Sequence, residues 1–406
     1  MSRSEDQDQK QVEMTAAAFL AGEGRRQKEI ADKLNISQAA VSRYLKEARE
    51  ENLLREEVYF LEEKAGLATM EKVRELLFRK SLQDELERFA VRHNQRPAKA
   101  VRVFKCDSGT NEKKIKSDRE RMARLAELAA PHVRGLLLRA RVCGLTWGGM
   151  LASLVAELRN LHVRTPWQEQ DIQCIPLTGE PLGNDPVSYS SSSLAFELGK
   201  IINQRDYHAP SLAMVPAFIP EQFSEAEIAG VWKLIELVQS YRQIFGPHPD
   251  EKAVPPESTP PPLAEQLDMV LTSVGSSDNP MGFGLGSLFK TMSIRVDELR
   301  ALIVAEIGGV CLARCNLERK QTKKFEGFRA HWTGLRQKHL EACAERGADP
   351  KTNAPGVVVV SVGRERAAVV AELVKRGLVN HLLVDNLLAD ELDKICRADG
   401  AGRPAE

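Results

Sequence analysis

The hydrophobic residues near the start of the chain recur at the spacing of two short helices joined by a tight turn. Two helices crossing at a steep angle would bury these positions against each other. They are Ile30, Leu34, Ile36, Val41 and Tyr44. A short helix over residues 12–21 would pack on both, and Ala31 provides a small side chain where the helices cross. The pattern predicts a three-helix domain that contains a helix-turn-helix motif.

The residues between the two helices fit the backbone that this motif requires. Asn35 falls where the turn needs a left-handed conformation, which Asn tolerates better than any residue except Gly. Ser37 is placed as an N-cap whose hydroxyl can accept a backbone N–H, so the second helix is predicted over residues 38–50. In a helix-turn-helix motif this second helix is the recognition helix.

Beyond residue 98 short apolar runs alternate with amphipathic segments. The predicted strands cover residues 100–104, 135–143, 171–177, 211–216, 268–274, 357–362 and 381–384. The predicted helices between them cover residues 117–130, 150–158, 190–202 and 366–376. Such alternation is typical of a mainly parallel sheet with helices on both faces. The predicted fold class is therefore multidomain: an all-α helix-turn-helix N-terminal domain followed by an α/β doubly wound domain.

Changes in composition divide the chain into four parts. Residues 1–10 are predicted to be a disordered tail, 11–58 the helix-turn-helix domain, and 98–400 the α/β domain. Residues 59–97 have mixed charges and one Gly before residue 92, which predicts helices that link the domains and pair subunits, or an ordinary solvated helix. Within the α/β domain we predict one extra helix over residues 221–245 and a proline-rich surface insertion near residues 246–263.

Composition restricts the class of protein further. The chain has 406 residues, 43% of them hydrophobic, and no formal net charge, which is enough for two or three domains with proper cores. No apolar run approaches the roughly 20 residues of a membrane span, and the N-terminus is polar, so a cytoplasmic protein is expected. The seven cysteines are scattered, and the close pair Cys311 and Cys315 has no second ligand pair nearby. We expect two small core residues there, and no metal or cofactor.

The charge of the helix-turn-helix segment points to double-stranded DNA as its partner. Residues 24–49 contain seven Lys or Arg residues against three acidic ones, although the whole chain is neutral. The side chains predicted to contact DNA are Arg25, Arg26, Lys28, Ser37, Gln38, Ala39, Ser42, Arg43 and Lys46. Gln38 suits adenine, Arg43 guanine and Ala39 a thymine methyl, whereas Lys46 and the basic residues before the motif suit phosphates. A helix-turn-helix domain usually binds DNA as two copies on two half-sites, so at least a dimer is expected.

Small-residue or charged loops follow four of the predicted strands. In open α/β sheets, ligands bind beyond the carboxyl ends of strands, where such loops meet. After residue 143 the loop Gly144–Gly149 opens into a helix, and the glycines and helix N-terminus would suit an anion. The other loops are Thr178-Gly179-Glu180, the segment from Gly275 and Ser276, and Gly363-Arg364-Glu365-Arg366. Glycines between a strand and a helix also serve simple tight turns, so the signal of one loop is weak.

The order of these parts resembles the SorC family of bacterial transcriptional regulators. The first segment that carries the resemblance is the motif Q-x-E-I-A-x-x-L-x-I-S-x-x-x-V-S-R over residues 27–43. Further along, the matching segments are GLTWGG (144–149), DMVLTSVGS (268–276), AEIGGVCL (305–312) and the run of strand, Gly loop, basic residue, helix and strand over 357–392. The resemblance spans nearly the whole chain.

This resemblance implies an effector-controlled regulator, usually a tetramer, whose ligand is a sugar or a phosphorylated sugar. It also implies an α/β domain similar in fold to sugar-phosphate isomerases and coenzyme A transferases. The residues expected at the effector pocket are Gly144, Thr146, Trp147, Gly148, Gly149, Thr178, Gly179, Gly275, Ser276, Arg366 and Asp385. Glu180 stands where the family has a second glycine and would repel an anion, whereas Arg366 would hold one. A neutral sugar, a differently charged metabolite and no ligand at all stay open.

Two other classes of function stay open as alternatives. An α/β domain that only assembles subunits would make the chain a constitutive DNA-binding protein. A sugar-phosphate-acting enzyme would draw on carboxylates at loops or strand ends, namely Asp107, Glu180, Asp278, Glu306 and Asp385. The eight histidines are scattered, and no Ser-His-Asp or Cys-His constellation is evident. The lack of such a constellation in the sequence and the fused DNA-binding domain together argue against an enzyme.

Overall fold

The computed structural model begins with three helices that form one small domain. The described residues are 3–23, 25–51, 53, 80–104, 106, 117–164, 166, 170–181, 189–203, 207–247, 260–276 and 295–401. The three helices are α1 (Arg3–Gly22), α2 (Gln27–Leu34) and α3 (Gln38–Glu50). Helix α1 is longer than predicted and begins inside the segment expected to be a disordered tail. The helices of the motif agree with the prediction.

A separate apolar core holds these three helices together. Within the described chain the core cluster contains Phe19 and Leu20 from α1, Ile30 from α2, and Val41 and Leu45 from α3. Leu34 and Ile36 pack against it while partly exposed. The turn between α2 and α3 has the predicted conformation, because Asn35 has a φ of 54°. The Ser37 hydroxyl accepts the Ala40 N–H at 3.1 Å and caps α3. We refer to residues 3–53 as the N-terminal domain.

A parallel sheet of six strands forms the centre of the α/β domain. Its strands are β1 (Ala100–Phe104), β2 (Val142–Leu145), β3 (Gln173–Pro176), β4 (Met269–Thr272), β8 (Gly356–Ser361) and β9 (His381–Asp385). They lie in the order β1-β9-β8-β4-β2-β3, and every pairing is parallel. The carboxyl ends of all six strands therefore meet at one edge of the sheet. The predicted parallel α/β class is confirmed.

Helices cover both faces of this sheet. In chain order the first six helices of this domain are α4 (Lys80–Arg92), α5 (Asp118–Leu137), α6 (Gly149–Arg164), α7 (Ser191–Asn203), α8 (Glu225–Leu237) and α9 (Gln239–Phe245). They are followed by α10 (Val296–Leu302), α11 (Arg319–Ala330), α12 (Gln337–Ala348), α13 (Ala367–Lys375) and α14 (Asn386–Ala401). Helices α5, α6 and α7 share one core cluster with the sheet, and α4, α12, α13 and α14 share another.

A second, antiparallel sheet lies beyond the end of β4. It consists of β5 (Val274–Ser276), β6 (Ile303–Ile307) and β7 (Val310–Ala313) in the order β5-β6-β7. The single strand predicted over residues 268–274 is therefore two strands, β4 and β5, which belong to different sheets. Gly308 and Gly309 form the tight turn between β6 and β7, with φ values of 55° and 89°. Only glycine adopts this pair of conformations readily.

Several predicted boundaries were wrong. Helix α5 continues through Pro131 to Leu137, so the predicted strand 135–143 is reduced to β2. Residues 211–216 form no strand and make one isolated bridge, between Glu180 and Pro216. The extra helix predicted over 221–245 is broken at Val238 into α8 and α9. Most of the proline-rich insertion, 248–259, lies outside the described residues.

The described part of the predicted linker belongs to the α/β domain. Helix α4 buries Leu82, Leu86 and Phe89 in the same apolar cluster as the sheet and α14, so it is neither a solvated helix nor a free connector. Residues 54–79, the rest of the predicted linker, lie outside the described residues. Among the described helices none is both long and apolar enough to cross a membrane. Cys311 is buried as expected, but Cys315 is exposed.

Candidate DNA interface and effector site

Helix α3, the predicted recognition helix, presents the predicted base-facing side chains to solvent. Its buried face, which includes Val41 and Tyr44, packs on α1 and α2. The opposite face consists of exposed residues, which are Gln38, Ala39, Ser42, Arg43 and Lys46. Gln38, Ser42 and Lys46 lie on successive turns because they are spaced by four residues. The helix therefore offers one continuous polar face of the size that a major groove admits.

Tyr44 fixes the orientation of α3 against α1. Its hydroxyl donates a hydrogen bond of 2.9 Å to Glu13 Oε2, and burial followed by this carboxylate raises the pKa of Tyr44. The Arg43 guanidinium carbon lies 5.2 Å from the centroid of the Tyr44 ring, a distance at which a cation is attracted to the ring face. Arg43 is thus placed by an anchored neighbour while staying exposed.

The basic residues before α3 differ in their surroundings. Lys28 and Arg26 are exposed, whereas Arg25 is partly buried and its Nε atom has no hydrogen-bond partner. Arg25 and Arg26 line a cleft of about 170 Å³ that the N-terminal domain forms with α5 and α6, where Glu127 and Arg164 face them. The predicted phosphate contacts of these two arginines stay predictions.

The carboxyl edge of the parallel sheet brings several predicted pocket residues into one row. Asp385 ends β9, Thr272 ends β4, and Thr146 and Thr178 follow β2 and β3 closely. Ser361 ends β8, which lies between β9 and β4. Neighbouring strands lie about 4.8 Å apart, so the five strand ends span about 19 Å. Sequence reasoning missed Thr272 and Ser361, which end the observed strands β4 and β8 and lie within the last three residues of the predicted strands 268–274 and 357–362.

Asp385 is fully buried at one end of this row. Its Oδ1 atom accepts hydrogen bonds from the N–H groups of Gly363, at 3.1 Å, and Leu388, at 3.0 Å. Its Oδ2 atom accepts none and lies 3.9 Å from Nε of Arg121, in the first part of α5. Burial raises the pKa of Asp385, and the two N–H groups and Arg121 oppose that change. One oxygen is therefore structural, and the other faces a cation that sequence reasoning missed.

The centre of the row is a pair of threonines under a glycine turn. The Thr146 hydroxyl donates to Oγ1 of Thr272 at 3.0 Å, and the Thr272 hydroxyl donates to the Ser273 carbonyl at 3.0 Å. A Cβ atom added to Gly308 would lie 2.2 Å from the Thr146 methyl group, so the turn between β6 and β7 lies directly on these hydroxyls. The antiparallel sheet thus covers the ends of β2 and β4.

The start of α7 closes the other end of the row. The Ser191 hydroxyl donates to the Leu145 carbonyl at 2.5 Å and accepts the Leu177 N–H at 2.8 Å, which ties α7 to the ends of β2 and β3. The Thr178 hydroxyl is buried and has no hydrogen-bond partner. Burial raises the pKa of Glu180, whereas hydrogen bonds with Ser192 and Ser190, at the start of α7, lower it.

Trp147 and Glu306 form a buried pair behind the glycine turn. The Trp147 ring lies 5.7 Å from the ring of Trp332 and 6.5 Å from that of Phe218, so it belongs to an aromatic core. Burial raises the pKa of Glu306 to about 7, although hydrogen bonds from the Gly309 N–H and the Trp147 indole lower it. Trp147 is therefore buried in the aromatic core, and its predicted contact with an effector stays a prediction.

Four of the residues predicted at the effector pocket are glycines that lie in or next to strand ends. Gly144 lies inside β2, where a Cβ atom would meet Leu177 at 2.5 Å, and Gly179 leaves room for the Val215 carbonyl. Gly148, with a φ of 112°, donates its N–H to the Tyr189 carbonyl at 2.9 Å, and Gly149 begins α6. These glycines shape the backbone of the edge, and their predicted contacts with an effector stay predictions.

Two further predictions concern β5 and the loop after β8. Gly275 pairs with Glu306 in the antiparallel sheet, and the Ser276 side chain lies outside the described residues. Arg366 donates to the Val362 carbonyl at 2.5 Å and is hydrogen-bonded to Glu365, so its guanidinium is engaged by its own loop. Its side chain is 21% exposed.

The architecture defines a two-domain chain, a helix-turn-helix bundle followed by a parallel α/β domain. It is similar to that of the full-length sorbitol operon regulator SorC from Klebsiella pneumoniae, with a TM-score of 0.50 and 16% identity over 95% of this chain and 99% of that chain. A probable sor operon regulator from Shigella flexneri gives a TM-score of 0.50 and 14% identity over 77% of this chain and 98% of its own.

A third solved structure is a candidate sugar-binding domain of a transcriptional repressor from Vibrio fischeri. It gives a TM-score of 0.50 and 12% identity over 79% of this chain and 100% of its own. The sequence itself matches no protein-family model and no curated protein significantly. At these identities the likeness shows the fold, and the resemblance to SorC regulators that the sequence indicates is confirmed at that level.

Proposed function

We propose that this protein is a sequence-specific DNA-binding transcriptional regulator whose α/β domain binds a small polyhydroxylated metabolite and couples it to operator binding. The observation that carries the proposal is the exposed polar face of α3 inside a complete helix-turn-helix motif, with Asn35 in the turn and Ser37 as the cap. The fold likeness to a full-length operon regulator supports it over 95% of the chain. All three solved structures described above are regulators or parts of regulators by name, which supports a protein that is not an enzyme.

The proposed effector site is the carboxyl edge of the parallel sheet. Support comes from four buried side-chain oxygens at or beside this edge that have no hydrogen-bond partner, namely the hydroxyls of Thr178 and Ser361, Oε1 of Glu180 and Oδ2 of Asp385. Buried polar atoms are normally hydrogen-bonded, so such a group at one edge favours a ligand that supplies their partners. A ligand rich in hydroxyl donors would supply them. Arg366 is engaged by its own loop, Arg121 is paired with Asp385, and Glu180 adds a carboxyl group near the start of α7. Among the described residues this edge therefore favours a neutral sugar or polyol over a phosphate.

A twofold-symmetric assembly is part of the proposal. Two recognition helices must be presented about one DNA turn apart, so the DNA-binding form is proposed to be a dimer or a tetramer of this chain. An effector that binds one arrangement better than another would change DNA affinity by the same coupling factor, typically about 5-fold to 150-fold. The alternative, an α/β domain that serves only assembly, has less support, because it leaves the unpartnered oxygens of the strand ends without a role.

The test compares matched ligands on the full chain. Thermal unfolding is measured with hexoses and hexitols, each in its free and phosphorylated form. A ligand at 100 times its Kd should stabilise the native state by about 2.7 kcal/mol. Each stabilising compound is then added to a DNA-binding titration. A change in DNA affinity with such a compound supports the proposed function. Stabilisation without any change in DNA affinity would leave a sugar-binding protein that is not an effector-controlled regulator.

A further inference from the structure

A buried ion pair joins the N-terminal domain to the first strand of the α/β domain. Nη1 of Arg102, in β1, donates a hydrogen bond of 2.6 Å to Oε1 of Glu23, which follows α1. The two side chains are 11% and 8% exposed. The guanidinium carbon of Arg102 also lies 4.9 Å from the ring centroid of Phe19 in α1. We call Arg102 and Glu23 the interdomain pair.

The contact between the domains is polar rather than a shared apolar core. The apolar cluster of the N-terminal domain contains, among the described residues, no member from the α/β domain. The cleft beside the interdomain pair is lined largely by charged side chains, including Arg26, Glu127 and Arg164. Polar interfaces between domains are the ones that open and close most readily. Removal of one partner from a buried ion pair is strongly unfavourable, because the other charge is left buried and uncompensated.

Strand β1 connects the interdomain pair with the proposed effector site. β1 pairs with β9 so that Arg102 lies opposite Leu383 and Phe104 opposite Asp385. Two residues of a strand span about 6.7 Å, so the residue that holds the N-terminal domain lies one short step along β1 from the carboxyl edge. A shift of the β1 and β9 ends on ligand binding would therefore move Arg102 directly.

The docked N-terminal domain keeps its recognition face open. Gln38, Ser42 and Arg43 are exposed while Glu23 is paired with Arg102. The contact therefore does not cover the DNA-reading surface, and it sets the orientation of that surface relative to the α/β domain. A contact that sets this orientation lets a change at the effector site alter the position of the recognition helix.

We propose that the interdomain pair is the mechanical link through which the effector site and the recognition helix influence each other. This inference rests on the proposed function for the two sites that it connects. Arg102 and Glu23 act as positioning residues and contact neither DNA nor effector. Loss of the link is expected to leave both binding sites intact and to remove the influence of one on the other.

The first measurement follows the motion of the N-terminal domain in the full chain without DNA or ligand. A dye is attached through Asp32→Cys, in the exposed part of α2, with the exposed Cys315 replaced by Ser. With the pair intact, time-resolved anisotropy should show rotation of the whole assembly. Arg102→Met keeps a side chain over Phe19 and Glu23→Gln keeps a hydrogen bond. Each of these two substitutions should add a faster component to the anisotropy decay, because the N-terminal domain then rotates on its own. The control is Arg397→Met, which breaks the ion pair between Arg397 and Asp393 and should add no such component.

The second measurement uses DNA as the ligand, because coupling between sites is reciprocal. Hydrogen exchange of residues 381–388 is compared with and without DNA. DNA should change exchange there by at least about threefold in the unaltered chain and not in Arg102→Met, although both bind DNA. If Arg102→Met and Glu23→Gln rotate as one body, or keep the DNA response, the link is refuted. If the unaltered chain binds no DNA, the proposed function fails, and the anisotropy result still decides whether the pair holds the domains together.

Discussion

Asp385 and Arg121 face each other across the carboxyl edge of the parallel sheet, with Oδ2 and Nε 3.9 Å apart. Neither atom has a hydrogen-bond partner, although both are buried. The two residues come from the beginning of α5 and the end of β9, far apart in sequence. The pair thus provides a donor and an acceptor at one end of the proposed effector site, close enough to interact with one hydroxyl-bearing ligand.

The backbone hydrogen bonds that Oδ1 of Asp385 accepts should stabilise the chain. Asp385→Asn keeps an oxygen that can accept the N–H groups of Gly363 and Leu388, whereas Asp385→Ala leaves both unsatisfied. We expect Asp385→Ala to be less stable than Asp385→Asn by about 1–3 kcal/mol in urea unfolding. Equal stability of the two variants would mean that the backbone hydrogen bonds to Oδ1 have no role in holding the strand end.

Glu306 should make the stability of the chain depend on pH. The folded state raises its pKa from 4.5 to about 7, so the unfolded chain ionises this group first. Its contribution to stability is complete below pH 4.5 and is lost as the pH rises towards 7. Glu306→Gln should therefore be more stable than the unaltered chain at pH 8 by about 3 kcal/mol, with little difference at pH 4.5. Thermal unfolding at both pH values measures this.

Glu326→Gln is the control for the pH measurement, because Glu326 is exposed on α11. It should leave the pH dependence unchanged. If Glu306→Gln destabilises the chain at pH 8 by more than at pH 4.5, the carboxylate is held ionised by its neighbours and the assigned direction of the pKa change is wrong.

Ser37 and Ser42 should separate helix capping from DNA contact. Ser37→Ala removes the acceptor for the Ala40 N–H and should cost about 1 kcal/mol of stability. Ser42 is exposed in the middle of α3, where Ala is a better helix former, so Ser42→Ala should not destabilise the chain. We expect Ser42→Ala to weaken DNA binding nevertheless. Chemical unfolding together with a DNA titration distinguishes the two roles, and a stability loss in both variants would contradict them.

Lys28 should contribute a phosphate contact. Lys28→Ala should weaken binding to all DNA sequences alike and reduce the slope of log K against log salt by about one. Arg319→Ala, which removes an exposed positive charge from α11, serves as the control and should leave the slope unchanged. DNA titrations at three salt concentrations provide the slopes. An altered sequence preference in Lys28→Ala would show that this side chain reads bases instead.

Local signals made the helix-turn-helix motif predictable from sequence. Asn35 and Ser37 act on their own backbone neighbours, and the structure has both in the predicted conformations. Helix α5 shows where a local rule fails. Pro131 predicts an end to the helix, yet burial of Val133, Leu136 and Leu137 continues it for another two turns. Tertiary packing outweighs the missing hydrogen bond there.

Long-range relationships account for most of what the sequence did not reveal at the candidate site. Arg121 meets Asp385, and Glu306 meets Trp147, only because the chain returns to the same edge after more than a hundred residues. Trp147 looked like a loop residue because it follows a strand, but the aromatic side chains that bury it come from distant segments. The strand ends themselves were predictable, because parallel alternation places them at one edge.

The most direct test of the account is selection of bound sequences from random DNA by the full chain and by Arg43→Ala. The unaltered chain should enrich a twofold-symmetric site whose half-sites lie about one helical turn, roughly 10 base pairs, apart. Arg43→Ala should bind the same DNA more weakly and lose preference at one base pair in each half-site, whereas Arg319→Ala should retain the whole site. No enriched sequence with the unaltered chain, or the same sequence with Arg43→Ala, would contradict the proposal that α3 reads DNA through this face.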